Sequence, residues 1–279
     1  MPTSNTIERL SYMFLCSGPF LVITLVGIRA LRVPGVQQVI GATVFAMFAI
    51  ATWLLARRGI KSQLPEQRLT ALAGMLLVLP FALIGLLWVG LGPPWLASPV
   101  DNQMRYVVLI SGAMAVVGGC VALKEALSLA GERFGSTLGF AGMILAGPLY
   151  LVGEALLLAS FSAVVRTGEA PEVFHSLSEL QDILLFFGGA LTYASTAAFA
   201  VSLFQSDWLG RGASRTYVGL SLIALLCLIT RGLQFPDPEA PSIPWYTVPG
   251  FIAGIPAVPF IIPYLFGVVS LRRTNQAQA

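Results

Sequence analysis

Residues Ser136–Val165 read STLGFAGMILAGPLYLVGEALLLASFSAVV, and this stretch decides the fold. It is apolar almost from end to end and carries one charged residue, Glu154. A helix crosses the roughly 30 Å hydrocarbon core of a bilayer with about 20 apolar residues. The stretch is long enough for that crossing. It shows none of the short, alternating segments from which a membrane barrel is built.

Seven further stretches of the same kind surround it: Leu10–Ile28, Val36–Ala56, Leu69–Leu91, Tyr106–Leu123, Ile183–Phe204, Tyr217–Phe235 and Pro249–Leu271. The apolar pattern of the fourth runs on to Ala130. The chain therefore reads as all-α, a polytopic transmembrane helix bundle of about eight spans forming a single domain over residues 1–279. The last span contains Pro249, Pro256, Pro259 and Pro263. Interior prolines remove backbone donors. One kinked helix is the expectation there, and a re-entrant segment followed by a short helix is the alternative.

Composition agrees with this reading. Apolar residues make up 56% and charged residues 10%, with a mean hydropathy of +0.82. Soluble domains carry about 25% charged residues, so too few charges exist here to cover a water-facing surface. The net charge of +3 is small and forms no free basic stripe, which argues against nucleic acid as a partner and leaves the lipid bilayer. Cys16, Cys120 and Cys227 all lie in apolar runs without a CxxC pair, and read as packing residues. The first apolar run ends in Arg29-Ala30-Leu31-Arg32 with no small-residue cleavage site, so it reads as a retained span rather than a signal peptide.

An even number of spans puts both termini on one side. With the N-terminus cytoplasmic, the inner segments hold Arg9, Arg57, Arg58, Lys61, Arg68, Lys124, Arg133, Arg211, Arg215, Arg272 and Arg273. The outer ones hold Arg29, Arg32, Arg105, Arg166 and Arg231, which makes 11 against 5 of the 16 cations. The positive-inside rule then places both termini in the cytoplasm. Trp53 and Trp208 fall at the inner boundary, and Trp88, Trp95 and Trp245 at the outer one, as an aromatic belt requires. The localisation implied is a cell membrane, of the bacterial inner-membrane type, crossed many times.

The outer loops are rich in turn formers, as in Gly92-Pro93-Pro94-Trp95 and Pro236-Asp237-Pro238-Glu239-Ala240-Pro241. In the outer loop Arg166–Asp182, Val173, Phe174, Leu177 and Leu180 recur at helical spacing. They predict a short amphipathic helix lying on the interface. Small residues at Ser111, Ala115 and Gly119 in the fourth span, and at Gly135 and Gly139 before and in the fifth, predict close packing between those two helices.

Glu154 is the residue with the most chemical content. It sits about 10 residues inside the fifth span, roughly 15 Å below the outer boundary. A carboxylate at that depth costs about 2.5–3.5 kcal/mol and must be protonated, paired or wet. Tyr150, one turn toward the cytoplasm on the same face, is a candidate hydrogen-bond partner. Arg231, near the outer end of the seventh span, is the candidate counter-ion. Arg105 opens the fourth span and Asp182 the sixth, both at the outer boundary, and His175 lies in the loop above them. Together these residues define a candidate polar pocket for ligand binding or proton relay in the outer half. The plainer reading of Arg105 and Asp182 is that each anchors its own helix end.

Other polar groups read as structural. Lys124-Glu125 and Glu132-Arg133 look like interface charges with local ion pairing. Thr192, Tyr193, Ser195 and Thr196 form a band across the sixth span, where hydroxyls bond to their own or neighbouring carbonyls. A single histidine provides neither bis-His haem ligation nor a His-cluster metal site. No HExxH, GxSxG or phosphate-binding loop occurs, and the two lysines, Lys61 and Lys124, leave the seventh span without a Schiff-base partner for retinal. No cofactor, metal or catalytic constellation is expected.

Residues Leu184–Leu220 resemble a segment of loosely defined bacterial multi-pass membrane proteins of uncharacterised function. The resemblance is carried by Phe187-Gly188-Gly189, Leu203-Phe204-Gln205-Ser206 and Trp208-Leu209-Gly210. Ser206-Asp207 stands where those proteins have Pro-Arg before the tryptophan. It implies an integral membrane protein and transfers no site residue.

Three functional readings follow. The first is non-enzymatic binding of a small apolar or lipid-like ligand, or of a membrane protein partner, in the outer-half pocket. The second is proton-coupled secondary transport with Glu154 as carrier and the proline-broken last span as gate. The third is an intramembrane enzyme acting on an isoprenoid or lipid, with Glu154 as general acid beside Tyr150 or Asp182.

Overall fold

The computed structural model describes residues 3–27, 35–92, 97–232, 249–255 and 257–276. Arg29, Arg32, Trp95, the acidic Pro236–Pro241 loop, Trp245 and Pro256 lie outside them. Described helices run as α1 (Thr3–Gly27), α2 (Val36–Ile60), α3 (Pro65–Gly90), α4 (Pro99–Leu129), α5 (Phe134–Thr167), α6 (Phe174–Gln205), α7 (Arg211–Gly232), α8 (Pro249–Gly254) and α9 (Ile261–Gln276). Six of them, α2 to α7, are long and apolar enough to cross a membrane. The fold is all-α, as expected for a polytopic membrane bundle.

Helices extend past the apolar spans that predict them. Hydropathy reports only the part in hydrocarbon, whereas the hydrogen-bond ladder continues until a cap stops it. The amphipathic segment after Val173 shows this: it is not a separate interfacial helix but the first turns of the continuous α6. The last span departs from the single kinked helix. It breaks into the six-residue α8 and the sixteen-residue α9, with turns between Ile255 and Phe260. Pro259 falls in the break, and Pro263 sits in the first turn of α9, where its missing N–H costs nothing.

The chain divides into two compact units. The first spans Met1–Ala126 with Tyr264–Ala279. Its centre is α3. A Cβ at Gly74 would press on Leu271 of α9, one at Gly85 on Val22 of α1, and one at Gly119 of α4 on Leu77. Glycine at each point lets a neighbouring helix approach α3 closely. Tyr264 stacks at 4.6 Å on Phe81, and its hydroxyl donates to the Leu15 carbonyl of α1.

Leu127–Pro263 form the second unit. Its frame is the antiparallel pair α5 and α6. Gly135 faces Ser202, Gly139 faces the Phe199 ring, and Gly188 faces the Tyr150 ring. The predicted small-residue positions serve other helices within their own units: Gly119 packs on α3, and Gly135 and Gly139 pack on α6. Next to α6 lies α7, joined by the 2.9 Å hydrogen bond between Thr196 and Ser221 and by Ser214 donating to the Ala200 carbonyl at 2.9 Å. Against α7 sits α8, whose Gly250 backbone lies on the Cys227 carbonyl.

One end of the α5–α6 pair is densely hydrogen-bonded. Where α4 stops, Glu132 N–H donates to Leu127 O at 3.0 Å and Gly131 N–H to Ser128 O at 3.2 Å, with Gly131 at φ +95°. This is a Schellman cap. Glu132 then turns into α5, accepting from the Gly135 amide at 2.7 Å, the Ser136 amide at 3.0 Å and the Ser202 hydroxyl. It is buried, and it caps a helix instead of pairing with Arg133 as a surface charge. The end of α6 repeats the Schellman pattern. Trp208 N–H donates to Leu203 O at 2.9 Å and Asp207 N–H to Phe204 O at 3.1 Å, with Asp207 at φ +58°. Trp208 is the buried residue that follows this cap. Lys124 and Glu125 do pair, at 2.8 Å.

Candidate functional site

Glu154 lies deep in α5, about 30 Å along the helix from Phe134 and about 20 Å from Thr167. It is only 4% exposed. Its Oε2 atom meets no hydrogen-bond donor. No ion pair among the described residues includes it. A mid-helix position explains why. Backbone amides there are spent on the helix ladder, so a buried carboxylate must find its donors on other side chains.

Tyr150 is buried one turn away on the same helix, but its hydroxyl turns elsewhere. It bonds Thr192 Oγ1 of α6 at 3.0 Å. Thr192 spends its single hydrogen on the Gly188 carbonyl at 2.8 Å, so Tyr150 is the donor in that bond. The absence of a side chain at Gly188 makes room for this: a Cβ there would lie 3.1 Å from the Tyr150 ring. Phe260, from the break before α9, packs on the Tyr150 ring at 4.9 Å. Tyr193 fastens the same break by donating to the Ala253 carbonyl at 2.8 Å.

Arg231 is buried at the end of α7. Its guanidinium lies over Gly254, where an added Cβ would stand 2.6 Å from Nη1. Gly250 and Gly254, four residues apart, leave the channel on α8 that this side chain fills. Arg231 therefore packs on α8 and makes no ion pair with Glu154.

Asp182 is partly buried on α6 and engaged with a partner. His175 pairs with Glu179 at 3.2 Å across one turn, with both side chains at least half exposed. Arg105 belongs to the first unit, where it is buried against Trp88. Within the second unit the structure gathers a polar centre from Tyr150, Thr192, Tyr193 and the Ala253 carbonyl, with Glu154 one turn along α5.

Sequence reasoning did not anticipate Gly188, Phe260 or the Ala253 carbonyl. Only Gly188 left a trace, as half of the Gly188-Gly189 pair within an otherwise bulky span. Among the described residues no three His, Cys, Asp or Glu side chains converge as a metal site. Compared with protein-family models, curated proteins and solved structures, the chain matches none of them.

Proposed function

We propose that this multi-span membrane protein crosses the bilayer eight times with both termini in the cytoplasm. It binds a small or lipid-like ligand at Glu154 without transforming it. One observation carries the reading: a membrane-buried carboxylate with an oxygen that meets no donor. Burying such a group costs several kcal/mol, and a sequence free to replace it with leucine would lower that cost. A ligand presenting an amine or hydroxyl supplies the missing donor. The ring of Tyr150, one turn along α5, and that of Phe260 packed on it suit an apolar body.

The test is native mass spectrometry of the full chain released from its membrane with its associated lipids. A bound species of a few hundred daltons on wild type, lost in Glu154→Gln, is the expected result. No adduct, or an adduct retained by the variant, overturns the reading.

A second reading, proton-coupled transport, is favoured by the break between α8 and α9. Interrupted helices often build transport sites, and this one contacts the Tyr150 ring through Phe260. It requires that a pH gradient drive uptake into proteoliposomes and that Glu154→Gln abolish it. Unchanged flux in that variant removes the carrier role.

A further inference from the structure

Arg105, in the first unit, is the largest of the fully buried side chains, with 2% of its surface exposed. A buried guanidinium ordinarily sits against a carboxylate with all its N–H groups engaged. Here no ion pair among the described residues includes it. Nη2 donates to the Gly92 carbonyl at 2.7 Å, and the Trp88 ring lies 5.7 Å from Cζ. Nε and Nη1 are buried and meet no acceptor.

The acid best placed to serve it is committed elsewhere. Asp101 precedes Arg105 by four residues, the spacing of a helical ion pair. It accepts instead from the Ser98 hydroxyl at 2.7 Å, while Ser98 Oγ accepts from the Asp101 amide at 3.1 Å. This reciprocal cap fixes the start of α4, with Pro99 as its first residue. The carboxylate is thereby held at the helix cap, where it acts on Arg105 through space but makes no hydrogen bond to its unmet N–H groups.

We infer that Arg105 is the anchor of an oxyanion site, binding a carboxylate or phosphate group beside Trp88. The guanidinium is a planar fork with two edges, Nε with Nη2 and Nη1 with Nη2. The Gly92 carbonyl serves one edge, and an oxyanion on the other satisfies an unmet N–H and neutralises the charge together. The indole face beside it suits an apolar chain attached to that oxyanion. The site is independent of the Glu154 reading, because none of its residues belongs to the second unit.

Full-length protein in a neutral maltoside detergent tests it by apparent melting temperature. The probes are palmitate, its neutral counterpart hexadecanol, and the free ions acetate and inorganic phosphate. Saturating palmitate is expected to raise the melting temperature of wild type by about 3–8 °C, and hexadecanol to leave it unchanged. A rise with acetate or phosphate alone identifies a free ion as the occupant. A rise with palmitate only identifies an amphiphile. Arg105→Lys keeps the charge but loses the fork, and should weaken the responding anion about tenfold or more; Arg105→Gln should abolish its effect. Equal responses to palmitate and hexadecanol overturn the inference. So does a palmitate response that survives in Arg105→Lys undiminished, and so does silence from every anion.

Discussion

Glu132 and Glu154 belong to the same helical unit, and both are buried. Glu132 stands just before α5, where free amides point out of the helix end, and it accepts from Gly135, Ser136 and Ser202. Glu154 stands far inside α5, where every amide is already committed, and its Oε2 accepts from nothing. The residue type and the burial are alike. Position along the helix separates a carboxylate that stabilises the fold from one that strains it. In hydrocarbon, where water cannot compensate, the contrast is at its sharpest.

The largest expected effect comes from Glu132→Ala. It removes the acceptor for two amides and a hydroxyl in a buried site, which should cost about 2–4 kcal/mol. Equilibrium unfolding in mixed micelles measures it, and a loss below about 1 kcal/mol breaks the comparison. The same residue carries a pH signature. Burial pushes the Glu132 carboxyl up, but the hydrogen bonds from Ser202, Gly135 and Ser136 outweigh it and hold it below the ordinary carboxylate range. Its stabilising contribution is therefore complete above the unfolded value of about 4.3. It fades as pH falls below that, through the folded value. Acid destabilisation of wild type in this window should be reduced in Glu132→Ala.

Glu154→Leu should move stability in the opposite direction. The substitution removes a buried oxygen without a donor and leaves a side chain of similar bulk. Ligand-free protein should gain about 1–3 kcal/mol in the same unfolding assay. The gain would accompany loss of the bound species, a trade of stability against function expected where a site is strained for use. A loss of stability greater than about 1 kcal/mol would mean that Glu154 is a satisfied structural acid, and the two glutamates would cease to differ in kind.

Glu154 was legible from residue order alone because its cost is local: one carboxyl in an apolar run exceeds what hydrocarbon tolerates. Glu132 was not, because one of its partners, Ser202, is 70 residues away and is brought to it by the α5–α6 packing. Spans were legible in number of apolar residues and not in their ends. The start of α6 at Phe174 depends on a hydrogen-bond ladder that hydropathy does not see. Four prolines marked the last span as irregular and suggested one kinked helix; that it breaks, and where, depends on the fastening of Ala253 by Tyr193 and of Phe260 by Tyr150. Arg231 looked like the partner of Glu154 because both belong to the outer half of the predicted bundle and the long side chain could turn inward. The channel left by Gly250 and Gly254 sends it to α8 instead, and helical spacing within α7 cannot reveal a groove on another element.

Tyr150→Phe tests how far the polar centre extends toward Glu154, and its effect should be the smallest. The hydroxyl donates to Thr192, which retains its own bond to the Gly188 carbonyl when the phenol is gone. No buried donor is orphaned, so the loss should be about 0.5–1.5 kcal/mol. Ring packing on Phe260 at 4.9 Å is untouched. Because the tyrosine proton points at Thr192 and not at Glu154, retention of the bound species should fall less than about threefold, against complete loss in Glu154→Gln. A larger fall with unchanged stability would bring the phenol within reach of the ligand, and the unmet oxygen of Glu154 would then be one part of a two-residue site rather than its anchor.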